Sequence, residues 1–166
     1  MPILENIGDL SLRVSHLAQI IWKECYADIL SEGQIDYMLD HGQSKEAISK
    51  QIADNGYEYR IITDNERDIG YYAFFIDGDS LFLSKIYVLH EARGKGFGTL
   101  ALKDACTYAE NHGLKTVSLR VNKKNTNAIK TYKANHFTIC CEDKSDIGRG
   151  FFMDDYLMKK DIGQTW

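Results

Sequence analysis

The chain turns on the stretch Arg93-Gly94-Lys95-Gly96-Phe97-Gly98-Thr99, which follows directly on the apolar run Leu81 to Leu89. That run reads as a strand, and the spacing of Phe97, Ala101, Leu102, Ala105 and Ala109 reads as one face of a helix. Between them, alternating glycines let the backbone take positive φ and come close to a ligand. The N–H groups that open the helix point outward at its positive end, and Arg93 and Lys95 add formal charge. Strand, basic glycine turn and helix in that order describe a cradle for an anion such as a pyrophosphate.

The turn is neither of two better-known phosphate loops. Gly94-Lys95-Gly96-Phe97-Gly98-Thr99 lacks the sixth-place glycine of the dinucleotide fingerprint, and Leu89 stands where a P-loop needs its first glycine. Glycines alone would read as a flexible connection that binds nothing. The basic residues and the strand-to-helix setting favour the cradle.

A length of 166 residues fits one domain, 1–166, with a core of its own. The 44% hydrophobic and 27% charged residues are those of an ordinary globular protein. No apolar run is long enough to span a membrane, and Met1-Pro2-Ile3-Leu4-Glu5 lacks a signal-peptide layout, so a cytoplasmic location is expected. The net charge of -4 disfavours a nucleic-acid partner and mildly favours cationic small substrates. Cys25, Cys106, Cys140 and Cys141 form no CxxC pair and are expected as reduced, partly buried thiols. The five histidines lack metal-ligand spacing, so no metal site is expected.

Along the chain, a short strand is expected over Ile3 to Ile7, with Asp9 capping a helix whose stripe is Leu10, Val14, Leu17, Ile21 and Cys25. Ser31-Glu32-Gly33-Gln34 reads as a capping box for a helix with Ile35, Met38 and Leu39 inward, stopped by His41-Gly42. Ser44 starts another, carrying Ala47, Ile48 and Ile52. From Tyr57 the period becomes two: Tyr57, Tyr59 and Ile61, then Ile69 to Ile76, then Leu81 to Leu89 predict an antiparallel meander. Val117, Leu119 and Val121 give a further strand, Asn125 to Asn135 a short helix, and Phe137 to Glu142 with Phe151 to Lys159 a closing hairpin. The hairpin's exposed strands are a place where a homodimer could pair. An α/β sandwich with a mixed sheet accommodates these elements.

Two blocks carry a family resemblance. Arg93-x-x-Gly96-x-Gly98 resembles the Arg/Gln-x-x-Gly-x-Gly/Ala signature of the GNAT N-acetyltransferases. Asn125-x-x-Ala128-x-x-x-Tyr132-x-x-x-His136-Phe137 resembles their second block, with His136 in place of its glycine. That histidine inherits a left-handed position at a helix end, where it pays strain. The resemblance implies a GNAT-type three-layer α/β/α sandwich with a mixed, mostly antiparallel central sheet. It also implies direct acetyl transfer from acetyl-CoA to a primary amine in a ternary complex.

On that resemblance, Arg93, Gly94, Lys95, Gly96, Phe97, Gly98 and Thr99 hold the pyrophosphate. Ile86, Tyr87 and Val88 offer a strand edge to the pantetheine amides, beside a splay from the strand Thr116 to Val121. A backbone N–H there also polarises the thioester carbonyl. Asn125 and Asn127 are placed to bind the pantetheine or to cap their helix. The leaving thiolate belongs to a thiol of pKa ~8.5, which a phenol of pKa about 10 can protonate. Tyr132 occupies the family's position for that acid. Alone it would read as a buried aromatic; within the full block it reads as the acid.

The base that deprotonates the amine is left open by the sequence. Ser84 and Lys85 stand where a carboxylate base is expected, leaving Glu24, His41, Asp154 and Asp155. In Phe151 to Met158 both faces carry apolar residues, so alternation does not say which aspartate turns inward. The run Trp22-x-x-Cys25-Tyr26-x-x-Ile29-Leu30-Ser31-x-x-Gln34-x-x-Tyr37-Met38 resembles the first helices of bacterial polyamine-type GNATs. Trp22, Tyr26 and Ile29 share a helix face and could wall an acceptor pocket or simply fill the core. An aromatic wall with acidic Glu24, Asp154 or Asp155 nearby suits a small amine, a polyamine among them. Two other readings stand beside this one: a CoA-binding regulatory module that transfers nothing, and an acetyltransferase for protein N-termini or lysines.

Overall fold

The computed structural model describes residues 7–162. The expected strand over Ile3 to Ile7 lies outside the described residues, apart from Ile7, where helix α1 (Ile7–Tyr26) begins. Asp9 is therefore in the first turn of α1 and not its cap. There follow α2 (Glu32–Gly42), α3 (Lys45–Asp54), β1 (Glu58–Asp64), β2 (Arg67–Asp77) and β3 (Ser80–Val88). A 3-10 turn, His90–Ala92, leads to α4 (Phe97–Asn111), β4 (Thr116–Asn122), α5 (Thr126–Ala134), β5 (Thr138–Gly148) and β6 (Phe151–Asp161). The strands form one six-stranded sheet in the order β1-β2-β3-β4-β6-β5, mostly antiparallel with β3 and β4 parallel, and helices flank it.

The chain folds as two compact units, one built from residues up to Ala73 with Lys85–Phe97, the other from Phe74–Ser84 with residues from Gly98 onward. In the first, α1 packs on α2 and α3. Its stripe buries Val14, Leu17 and Ile21 as the spacing predicts, and α2 buries Ile35 and Leu39. Both short helices have the caps their sequences announce: Ser31 accepts from the Gln34 N–H at 3.1 Å and Ser44 from the Ala47 N–H at 3.1 Å. Such caps contribute about 1 kcal/mol each. α1 ends at Tyr26, so Ile29 lies in the following turn and does not extend the Trp22–Tyr26 face. Arg13 reaches across to β2 and pairs with Asp68 at 2.7 Å, which holds that carboxyl below its usual range.

β1 and β2 meet at Asn65-Glu66, both with positive φ (51° and 66°), the two-residue turn whose twist suits a hairpin. In β1 the buried residues are Tyr59 and Ile62, because the alternation slips by one after Tyr59.

The second unit is held by Leu81, Leu83, Ala101, Leu102, Ala105, Val117, Leu119, Phe137 and Met158, all nearly inaccessible. The second half of β6 pairs antiparallel with the whole of β4, Thr116↔Asp161 through Asn122↔Asp155. β5 runs six residues further than the sequence predicts, to Gly148, and its turn uses Arg149 and Gly150 at positive φ. Its ladder to β6 breaks register twice, leaving Cys140 and Ile147 as bulge residues. Cys140 and Cys141 are exposed thiols, not partly buried ones, because β5 buries so little of its length.

Candidate active site

In the first unit, the backbone turns at Leu89 through the 3-10 turn, where the Arg93 N–H donates to His90 O at 3.1 Å. Gly94 and Gly96 then take φ of +77° and +86°. Those values explain two glycines, since other residues rarely adopt them. Gly98 has no such φ, and a Cβ there would meet nothing within 4 Å. Its bare backbone leaves open room over the start of α4, whose first amides have no intrahelical acceptor. Arg93 and Lys95 are exposed, with Arg93 Nε donating to Val88 O at 3.3 Å. These residues fit an anionic group of phosphate type.

The β3 segment Ile86-Tyr87-Val88 is half-buried. The ladder between β3 and β4 covers only Ser80–Leu83 and Thr116–Leu119, so β3 runs on beyond it to Val88. Gly70 on β2 explains how close the backbones lie: a Cβ there would stand 2.5 Å from Tyr87 O. Tyr87 OH lies 3.2 Å from Tyr26 OH. Trp22 donates to Tyr71 OH at 3.0 Å, and Tyr71 to Gln43 Oε1 at 2.8 Å. With 4% and 5% of their surface exposed, Trp22 and Tyr26 belong to this unit's core. Glu24 is exposed and accepts from the His90 N–H at 3.2 Å. His41 is exposed and stacks on Tyr37, its Nδ1 2.8 Å from Tyr37 O.

Lys85 turns inward on β3. Its Nζ donates to Gly42 O and Gln51 Oε1, each at 2.9 Å, and to the Tyr59 hydroxyl. Burial drives its pKa down to about 7 and pushes the Tyr59 phenol far up. In the sequence Lys85 stands out only as a residue where a carboxylate is expected. Its place on the alternation Leu81, Leu83, Lys85, Tyr87 was the signal that it faces inward.

In the second unit, Asn125 caps α5 by accepting from the Ala128 N–H at 3.4 Å, while Asn127 is exposed. Tyr132 is 7% exposed, with Phe137 6.3 Å away ring to ring. His136 takes φ +71°, the left-handed position its alignment with a glycine implies. The Phe137 N–H closes the helix end on Tyr132 O at 3.0 Å. Asn135 ties this end to the first turn of α4, its Nδ2 donating to Thr99 Oγ1 at 3.3 Å. The end of the glycine motif and the end of the tyrosine helix are thus directly joined.

The two aspartates of β6 part company. Asp154 is exposed and pairs with Lys123 at 2.9 Å. Asp155 is 6% exposed, between Asn122 on β4 and Asp143 on β5 in the sheet register. Its Oδ1 has no hydrogen-bond partner, the sole such buried side-chain atom among the described residues. Desolvation raises its pKa to about 6. No group of three or more His, Cys, Asp or Glu among the described residues could hold a metal ion. No helix among them is long and apolar enough to cross a membrane.

Residues 16–137 match the acetyltransferase (GNAT) family, and the chain belongs to that family. Solved structures agree on the fold. The PaiA N-acetyltransferase of Thermoplasma acidophilum, in complex with coenzyme A, is 23% identical over 95% of each chain, with a TM-score of 0.78. The ribosomal-protein-S18-alanine N-acetyltransferase of Escherichia coli is 18% identical, covering 99% of this chain and 94% of its own, with a TM-score of 0.71. YncA of Salmonella typhimurium, solved with its cofactor acetyl-CoA, is 18% identical over 94% of this chain and 92% of its own, with a TM-score of 0.63. No curated protein sequence matches the chain.

Proposed function

We propose that the chain, as one domain, transfers an acetyl group from acetyl-CoA to a primary amine of a small, cationic acceptor, a polyamine among the candidates. The observation that carries this is the turn Arg93–Thr99, with Gly94 and Gly96 in left-handed backbone and Arg93 and Lys95 exposed at the start of α4. Backbone amides and two cations there compensate the diphosphate of the cosubstrate. Ile86-Tyr87-Val88, on β3 beyond its ladder to β4, offers main-chain groups to the pantetheine amides. Asn125 and Asn127 add polar groups at the start of α5. Tyr132 serves as the acid that protonates the departing thiolate, and its helix is fixed by the Asn135–Thr99 hydrogen bond.

Family membership and the coenzyme bound by the PaiA and YncA structures support the choice of cosubstrate. The test is direct. Purified protein, acetyl-CoA and a panel containing spermidine, a lysine peptide and peptides with free N-termini are mixed, and released thiol is followed. Turnover of spermidine above the peptides is the expected result. Acetyl-CoA affinity by calorimetry with no turnover on any amine would replace the enzyme by a coenzyme-binding module.

A further inference from the structure

The carboxylates around β6 are unequally served. Asp143 is paired with Arg120 at 3.0 Å, and Asp154 with Lys123 at 2.9 Å. Asp155 lies in the row Asn122–Asp155–Asp143, buried, with Oδ1 lacking any hydrogen bond. Asn122 beside it uses its Oδ1 to accept from the Lys124 N–H at 2.9 Å, and its amide donates no hydrogen bond to Asp155 Oδ1. A buried carboxylate without a partner costs free energy that folding alone does not recover. Such a group is retained where something from outside completes it.

Its position is also informative. The row sits at the end of β4, past Leu119, where the ladder to β3 has stopped. Immediately beyond it the Lys123 N–H donates to Asp154 O at 3.1 Å and the Asn125 N–H to Asn122 O at 2.9 Å. These bonds stitch the start of α5, the helix of Tyr132, onto the strand pair that carries Asp155. A cation entering here would find one unpaired carboxylate, since the neighbouring ones already have theirs.

We propose that the Asp155 carboxylate receives the ammonium head of the acceptor amine and takes its proton. This rests on the acetyl-transfer reading above. The ammonium N–H bond breaks as the carboxylate O–H bond forms, which leaves a neutral amine. The nitrogen lone pair forms the C–N bond to the thioester carbonyl, and the C–S electron pair leaves on sulfur. The Tyr132 hydroxyl gives its proton to that thiolate, and the phenolate recovers one from the new amide nitrogen. Asp155 then releases its proton to water. The charged groups that face Asp155 are Arg120 on β4 and Asp143 on β5, with Lys123 past the end of β4 and Asp154 on its own strand. Burial outweighs the two cations, and the group ionises near pH 6, within reach of neutral working conditions.

The experiment compares the wild type with Asp155→Asn, using spermidine as acceptor. Expected are a fall in kcat/KM of about 10²- to 10⁴-fold, loss of the wild-type rise in kcat/KM through pH ~6, and an unchanged acetyl-CoA Kd by calorimetry. A kcat/KM within about threefold of wild type, or an unmoved acid limb, overturns the proposal. Should the variant fold poorly, carboxyl NMR titration of the wild-type protein decides. A midpoint near 6 that falls when spermidine is added with CoA supports the assignment, and an unmoved midpoint overturns it. Wild-type protein without acetyl-CoA affinity defeats the acetyl-transfer reading and this proposal together, whereas loss of the Asp155 effect alone leaves that reading standing.

Discussion

Lys85 Nζ donates to Gln51 Oε1 at 2.9 Å, a bond from β3 to α3 that joins a buried ammonium to a neutral amide. Among the described residues no acidic side chain pairs with Lys85, and burial lowers its pKa to about 7. In the unfolded chain it returns to about 10.4. Between those values the unfolded state holds the extra proton, so the lysine's contribution to stability rises with pH across that window and is lost as pH falls towards 7. Denaturant melts of wild type and Lys85→Met should therefore diverge between pH 7 and 10, by on the order of 3 kcal/mol in favour of the wild type at the alkaline end. Parallel curves would show that the lysine stays charged.

Tyr132→Phe keeps the ring against Phe137 and removes only the hydroxyl. Loss of a general acid lowers kcat by about 10²- to 10⁴-fold, with little change in acetyl-CoA Kd. Steady-state thiol release and calorimetry on the same preparation check both halves. An undiminished kcat would remove the hydroxyl from the chemistry.

Asp155→Asn should gain stability at the same time as it loses turnover. The carboxyl ionises near 6 in the folded chain and near 3.9 in the unfolded one. Its favourable contribution is complete below the lower value and disappears as pH rises through the upper one. At pH 7 the asparagine variant is expected to be more stable by roughly 1–3 kcal/mol, and at pH 4 the advantage should shrink towards nothing. Thermal melts at the two pH values measure this.

His136→Gly removes a Cβ from backbone at φ +71°. Relief of left-handed strain, set against the freedom glycine gains in the unfolded chain, leaves a net stabilisation of roughly 0.5–1 kcal/mol. Equilibrium urea unfolding provides the measurement. The Phe137 N–H bond to Tyr132 O should persist, because it belongs to the backbone.

Much of this fold was written locally. Ser31 and Ser44 announce their helices, Gly94 and Gly96 their turn, and His136 its left-handed position by standing where the family has glycine. Long-range placement was less legible. Phe151 to Met158 has apolar residues on both faces, so only the pairing of β6 with β4 and β5 turns Asp155 inward and Asp154 out. Trp22 and Tyr26 sit at a spacing that serves a pocket wall or a core equally well; contact with Tyr71 and Tyr87 put them in the core. Nothing local to Gly70 tells that Tyr87 O presses against it.

Cys140 and Ile147, the two supernumerary residues of β5, have a consequence for behaviour at high concentration. β5 is the sheet's last strand, and it offers no straight row of amides and carbonyls. A stray extended segment cannot keep in step with it for more than a few residues before the spacing fails. The rim thereby discourages runaway fibre growth without needing a covering helix.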